Sequence, residues 1–393
     1  MKIMSVNAGS SSLKFSLFEM DNNELIASGY FEKVTLTGSF FNIKYNGEKF
    51  FEEIDMPNHT IAVQIMLDRL LSLGIVKSLD EIEAVGHRIV HGGDKYNKSV
   101  IINDEVLEDI KRFADLAPLH NPAHVLGIEA VKSALPNVPM VAVFDTAFHQ
   151  TMEPSTYMYP VPYEWYTDLM VRKYGAHGTS HCYISKQIPR LLGKDNYKAI
   201  ICHLGSGGSV SAVESGVCVD TSMGFTPLAG IMMGTRSGDI DPSVVTYVAK
   251  KTGKSADEVV SDLNKKSGFL GLSGKSNDFR DVYVGVQAGD ERCKLALDKY
   301  VKTVVNYIAM YYVELGGADI ICFTAGLGEN AAPVRQMICE RLACLGVKID
   351  LEANVVRGEE RELSTNESTI KVYTIPTNEE LMIANDTYDL IVA

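Results

Sequence analysis

The sequence predicts a two-domain α/β protein, and three observations carry that prediction. Apolar strands alternate with apolar-periodic helices along the whole chain. At 393 residues the chain exceeds what one ordinary hydrophobic core organises. One plan also occurs twice, near the start of each half: an apolar strand, a Gly/Ser-rich turn and a second strand. The halves therefore read as related domains, although they share little residue by residue.

The first of these hairpins runs from Ile3-Met4-Ser5-Val6 through Asn7-Ala8-Gly9-Ser10-Ser11-Ser12 into Leu13-Lys14-Phe15-Ser16-Leu17-Phe18. Leu13, Phe15 and Leu17 share one face, so Lys14 projects from the other, just past the turn. A helix is expected from Ile61 to Leu73, stopped by Gly74, and another from Val106 to Ala117 with Leu107, Ile110 and Phe113 or Ala114 on its stripe. Val138 to Phe144 reads as a buried strand ending in Asp145-Thr146-Ala147-Phe148-His149. Pro154, Pro160 and Pro162 then break regular structure, as suits a crossing between domains.

The second hairpin joins Ala199-Ile200-Ile201-Cys202 to Ser209-Val210-Ser211-Ala212-Val213 through His203-Leu204-Gly205-Ser206-Gly207-Gly208. Asp241-Pro242 is expected to open a helix, with Asp as N-cap and Pro in the first turn. Ser255-Ala256-Asp257-Glu258 is a capping box. Arg292 to Leu315 predicts a long helix ended by Gly316-Gly317. Strand Ile320 to Phe323 leads through a turn at Gly326-Leu327-Gly328-Glu329-Asn330 into a helix with Pro333 in its first turn.

Composition narrows the function. A net charge of −13 argues against a nucleic-acid partner, because phosphate-backbone binding needs clustered Lys and Arg. It leaves room for a small anion, whose cleft a few local cations control. Seven dispersed cysteines without C-x-x-C spacing read as reduced thiols. No secretory signal and no run of ~18 apolar residues is present, so a cytoplasmic protein without membrane contact is expected.

Small residues in a hairpin turn let backbone N–H groups approach an anion, and the hydroxyls add donors. Two such hairpins suggest halves that grip one polyphosphate. The Gly326–Asn330 turn before a helix is a third phosphate or nucleoside candidate, or a plain strand-to-helix turn. Gly274-Lys275-Ser276 fails the P-loop spacing, since Phe269 stands where the first glycine is required, and reads as a loop. Arg88, in Gly86-His87-Arg88-Ile89-Val90-His91-Gly92-Gly93, offers a fork for carboxylate or phosphate, or a surface ion pair. Arg236 lies in the glycine-flanked stretch Leu228 to Asp239, a loop that is costly to order unless it holds a ligand. Tyr174 to His181 reads as a polar loop, because Gly175 and Gly178 oppose a helix that would pair His177 with His181 on a metal. Asp145 ends a buried strand, as a functional or turn-capping carboxylate, and Glu379 and Glu380 open a C-terminal helix. The set as a whole is an inventory for phosphoryl transfer, where a protein mainly positions groups and neutralises charge.

Several of these stretches resemble the acetate kinases over essentially the whole chain. They are Asn7 to Lys14, His87 to Gly93, Phe144 to His149, His177 to His181, Asp220-Thr221-Ser222-Met223-Gly224 on to Asp239, Gly326 to Asn330 and Thr377-Asn378-Glu379-Glu380. The resemblance implies two ribonuclease H-like (actin-like ATPase) domains with a nucleotide cleft between them, usually in a homodimer. It implies residues 1–148 with 381–393 as the phosphate and acetate side, and 149–380 as the side for nucleotide and dimerisation. It further implies reversible transfer of the ATP γ-phosphoryl to acetate, giving acetyl phosphate and ADP, with Mg2+ or Mn2+. Arg88 and Arg236 would hold the carboxylate and the transferring phosphoryl, His177 its equatorial oxygens, and Asp145 would support the reacting end. Asn7 and Glu379 would hold the metal. Lys14, His203, Leu204, Gly205, Ser206, Gly207, Asp278, Phe279, Arg280, Gly326, Leu327, Gly328, Glu329 and Asn330 would line the ATP site. Val90, Leu119 and Pro227 would surround the substrate methyl, with His120 nearby.

Two positions depart from the family pattern. Ser206 stands where Asn is usual, with less reach toward a phosphate. Ala176 replaces a common Phe and is expected to widen the acyl pocket enough to accept propionate, since one methylene is worth only about 1–3 kcal/mol. The rival readings are a propionate kinase or broad short-chain acyl kinase, a non-enzymatic actin- or chaperone-like ATP module, and a pyrophosphate-dependent enzyme.

Overall fold

The computed structural model describes residues 1–118 and 120–393; Leu119, expected at the substrate methyl, lies outside the described residues. The chain forms two compact units, Met1–Gln150 with Asn378–Ala393, and Thr151–Thr377.

In the first unit, strands β1 (Lys2–Gly9), β2 (Ser12–Glu19), β3 (Glu24–Glu32), β4 (Phe40–Tyr45) and β5 (Glu48–Glu53) form an antiparallel meander. Helix α1 (His59–Ser72) follows, then β6 (Ile82–Ile89), β7 (Val100–Ile101), α2 (Asp104–Arg112), α3 (Asn121–Ala134) and β8 (Met140–Phe144). The eight strands are ordered β5-β4-β3-β2-β1-β6-β8-β7, with β6 parallel to both β1 and β8. The β1–β2 ladder runs out to Gly9↔Ser12, so the expected six-residue turn shrinks to Ser10-Ser11, and Asn7 lies directly opposite Lys14. Lys14 shares its face with Phe18. Phe18 packs with Ile3, Ala84 and Ala384 beneath the C-terminal helix Glu379–Val392, while Lys14, at the turn end, is exposed. Gly86 permits that helix to pack closely, because a Cβ there would run into Ile383 and Thr387. The helix expected over 106–117 starts earlier and stops at Arg112; Asn103 caps it, and the chain tightens into a 3-10 turn at Phe113–Asp115.

The second unit begins with short helices α4 (Pro154–Tyr157) and α5 (Tyr163–Leu169) among the prolines, then α6 (Gly178–Leu192). Strands β9 (Lys198–Leu204), β10 (Gly208–Glu214) and β11 (Val217–Thr221) make the second hairpin and its neighbour. Helices α7 (Ser243–Thr252), α8 (Ala256–Lys265), α9 (Gly268–Ser273), α10 (Phe279–Gln287) and α11 (Glu291–Glu314) precede β12 (Ile320–Thr324). Helices α12 (Ala325–Asn330) and α13 (Ala332–Arg341) and strands β13 (Arg361–Glu362) and β14 (Lys371–Thr374) complete it. The sheet order is β11-β10-β9-β12-β14-β13, with β12 parallel to β9 and β14. Its first five strands repeat the order and directions of β3-β2-β1-β6-β8. This shared topology relates the halves where residue identity does not. Helix α11 buries Cys293, Ala296, Leu297, Tyr300, Val301, Val304, Ile308 and Tyr311 at three- and four-residue steps against that core.

Three local expectations change. Pro242 is already helical in φ and ψ, so α7 begins at Ser243, and Asp241 accepts from the Ser243 N–H at 2.8 Å one step outside the expected place. The Gly326–Asn330 turn is itself a short helix, broken from α13 at Ala331. The loop over Tyr174 to His181 ends early: His177 takes a left-handed φ of 59° as N-cap, and α6 starts at Gly178 with His181 in its first turn.

Candidate active site

In the first unit, Arg88 and Asp145 come from neighbouring parallel strands, near the C-terminal end of β6 and just beyond β8. Their Nη2–Oδ2 distance is 2.6 Å, with Asp145 buried and Arg88 partly exposed. Arg88 Nη1 also lies 3.4 Å from Asn7 Oδ1. Its Nε is buried with no hydrogen-bond partner among the described residues, so the fork retains a donor for a bound anion. Burial works against the Arg88 charge, but Asp145 and Glu379 more than offset it, and its pKa is raised. Glu379 opens the C-terminal helix, which Asn378 caps. Burial pushes its pKa up to about 7; Asp145 adds to the rise, and Arg88 opposes it. Val90 is buried just past β6, and His120 is exposed as the N-cap of α3. Lys14 lines a cavity of about 320 Å³ with Lys44, Asn378 and Glu380.

In the second unit, the hairpin turn Gly205-Ser206-Gly207 is where side chains converge. A Cβ on Gly207 would lie 2.6 Å from Arg236 Nη2 and 3.4 Å from His177 Nε2. Glycine there makes room for the guanidinium and the imidazole. Arg236 Nη1 donates to the Pro227 carbonyl at 2.7 Å, and no carboxylate pairs with Arg236 among the described residues. Burial alone lowers its pKa. His177 Nδ1 and His181 Nε2 both hydrogen-bond Ser209 Oγ, at 2.9 and 2.7 Å, which orients His177 Nε2 toward Gly207. The stretch around Arg236 is fixed by the protein's own backbone. Gly234 N–H donates to Ser206, Met233 accepts from Phe269, Thr235 accepts from Ser267, and Asp239 accepts from the Gly230 N–H at 2.8 Å. A ligand is not required to order it, contrary to the argument from loop entropy.

A cavity of about 730 Å³ in this unit gathers Gly205, Ser206, Asp278, Phe279, Arg280, Gly326, Leu327 and Asn330, a size suited to a cofactor-sized ligand. Asp278 N-caps α10 by accepting from the Arg280 N–H at 2.8 Å, and it pairs with the Arg280 guanidinium. The same cavity takes in Asn277, Tyr283 and Arg357, which sequence reasoning missed. Tyr283 was legible in principle: it lies one helical turn beyond Phe279, and the rings stack at 5.5 Å. Arg357 carried no local signal. Leu204 is buried in the core, His203 stacks on His177 at 4.1 Å, and the Gly328 carbonyl accepts from buried Arg335 at 2.9 Å. Glu329 turns away from the cavity, toward Ala325 and Thr377.

The two α/β units share a strand order, and each sets an arginine beside its small-residue hairpin, Arg88 near Asn7 and Arg236 near Gly207. The acetokinase family model matches residues 2–385. The chain is 52% identical to the acetate kinase of Bacillus cytotoxicus over 98% of each sequence. It superposes on the Porphyromonas gingivalis acetate kinase with a TM-score of 0.95 at 43% identity, covering 99% of each chain. A propionate kinase from Francisella tularensis gives a TM-score of 0.94 at 41% identity over the same coverage. The chain belongs to the acetokinase family. Among the described residues no helix is long and apolar enough to cross a membrane.

Proposed function

We propose that the chain catalyses the acetate kinase reaction, reversible in-line transfer of the ATP γ-phosphoryl to acetate. The observation that carries this reading is the unpaired Arg236 guanidinium over Gly207 beside His177 Nε2. A desolvated cation without a counter-ion, next to a phosphate-type turn, is poised for developing negative charge. Arg236 would hold the transferring group bidentately, and His177 would donate to its equatorial oxygens through Nε2. Arg88, oriented by Asp145, would bind the acetate carboxylate through its spare donors. Val90, Leu119 and Pro227 would enclose the methyl, with His120 nearby. The cavity lined by Phe279, Tyr283, Gly326 and Asn330 would receive the nucleoside. Lys14, His203, Gly205, Ser206 and Gly207 would serve the phosphates.

Asn7 Oδ1 and the Glu379 carboxylate are hard oxygen donors suited to Mg2+ or Mn2+, and a cation there would offset the charge that burial disfavours on Glu379. Mg2+ commonly keeps few protein ligands and completes its shell with substrate phosphates and water. When bound, the ion would neutralise phosphate charge. The first unit would thus supply the acetate and metal side, and the second the nucleotide side and dimer contacts. Exposed large apolar side chains on the second unit, among them Tyr163, Trp165, Leu169, Tyr247 and Val313, would be candidates for homodimer contacts. Seven dispersed cysteines without C-x-x-C spacing suit a reducing, cytoplasmic location.

A hydroxamate assay with acetate, propionate and butyrate, each with ATP and with pyrophosphate, tests the reading. Acyl hydroxamate is expected fastest from ATP and acetate. No product with ATP, or faster turnover with pyrophosphate or propionate, overturns it.

A further inference from the structure

Glu329 lies in a segment whose neighbours Gly326, Leu327 and Asn330 line the large cavity, yet its own carboxylate is engaged elsewhere. Oε1 accepts from the Ala325 N–H at 2.8 Å and from the Thr377 N–H at 3.0 Å, with the Thr324 hydroxyl at 3.4 Å. Thr377 is the last residue of the second unit before the chain returns to the first, and Glu379 follows two residues on. The Thr377 hydroxyl hydrogen-bonds Ser180 Oγ at 2.8 Å, and Ser180 Oγ hydrogen-bonds His203 Nδ1 at 2.8 Å. The His203 ring in turn stacks on His177. One connected set of side chains therefore joins the start of α12, the crossover residue, the second hairpin and His177.

Backbone strain marks the same place independently. Ala325 has a φ of 63° and His177 a φ of 59°. A β-carbon makes that region unfavourable, and it persists where surrounding contacts over-determine it. At Ala325 the Glu329 carboxylate holds the N–H of the strained residue itself.

We propose that Glu329 is a positioning residue and not a nucleotide ligand: it fastens the left-handed turn at Ala325 to the crossover at Thr377, so that ordering α12 around a nucleotide also orders the chain leading to Glu379. This rests on reading the cavity as the nucleotide site. Four proteins test it: wild type, Glu329→Ala, Glu329→Gln, and Glu329→Ala combined with Ala325→Gly. Each is examined for ADP affinity by calorimetry, for amide exchange of residues 379–382 with and without ADP, for thermal stability relative to wild type, and for kcat and KM.

Glu329→Ala is expected to bind ADP within about threefold of wild type, in line with a residue that makes no ligand contact. It should lose the ADP-induced slowing of exchange over 379–382, and kcat should fall tenfold or more with little change in KM for ATP. Glu329→Gln retains an acceptor oxygen and should restore most of both. Adding Ala325→Gly relieves the strained turn and should recover thermal stability without recovering the exchange response. A hundredfold loss of ADP affinity in Glu329→Ala, with the exchange response intact at saturation, would make Glu329 a ligand and overturn the proposal. So would an unchanged exchange response with unchanged kcat. Wild type that fails to bind ADP would overturn the nucleotide reading itself.

Discussion

Arg88 and Arg236 occupy comparable stations in their units, each beside a hairpin of the same topology, but they are held in opposite ways. Arg88 is locked to a buried carboxylate at 2.6 Å. Arg236 rests on a neutral carbonyl, with burial opposing its charge. An ion pair fixes a guanidinium's orientation, and removing one partner leaves a buried charge behind. A cation without a counter-ion keeps its electrostatic capacity for a ligand, at a cost in stability of the empty protein. The first arrangement suits a substrate fork that must be pre-aimed. The second suits charge that appears only during transfer.

Substitutions can break this contrast. Arg88→Ala is expected to have the largest combined effect: loss of acetate-dependent turnover, together with about 3–5 kcal/mol of stability as buried Asp145 loses this ion pair. Thermal melts should show that loss, and an unchanged Tm would remove the structural half of the argument. Arg236→Ala should lower kcat by roughly 10²–10³, about 3–4 kcal/mol in the barrier, while leaving Tm unchanged or raised. Near-full turnover in that folded variant excludes Arg236 from the transfer step. Lysine at 236 should rescue poorly, since a point charge cannot make two parallel bonds.

Acid should also act on the buried histidines of the first unit. Burial holds His87 down to about 3 and His91 to about 4, below the 6.5 of an exposed imidazole. Between pH 4 and 6.5 the unfolded chain therefore binds more protons, so stability from these two groups is present above 6.5 and is lost as pH falls toward 4. The slope reaches about 1.4 kcal/mol per pH unit for each histidine. Amide protection in β6 and β8, corrected for the slower intrinsic exchange in acid, should fall as pH drops from 6.5 toward 4; unchanged protection would refute this. The smallest effect concerns the acyl group. Ala176 is buried with Met223 and Met233, so methionine takes up room that a small side chain leaves. Met233→Ala should raise kcat/KM for propionate relative to acetate by about tenfold, within the 1–3 kcal/mol of one methylene. An unchanged ratio would place the determinant elsewhere.

Much of the scaffold was legible because it is local. Strand alternation around Leu13, Phe15 and Leu17, the Ser255–Glu258 capping box and the stripe of α11 all express one chain's own periodicity. The arginines, Asp145 and the glycine turns stood out because polar or small residues interrupt apolar runs. The role of Gly86 was not legible, since what it avoids is Ile383 and Thr387, at the opposite end of the chain. Nor were Arg357 or Arg335, a fully buried guanidinium bonded to Gly328, Asn354 and Val356 carbonyls.

The sequence by itself determined that this is a two-part α/β protein with anion-binding turns, because hydrophobic periodicity and glycine placement act over a few residues at a time. Only the tertiary structure decided which charges are paired and which are left open, and whether a motif residue faces the ligand. Arg88 and Asp145, or Glu329 and Thr377, become partners through strand order and crossover, and electrostatic energy depends on distance and burial that neither residue carries alone.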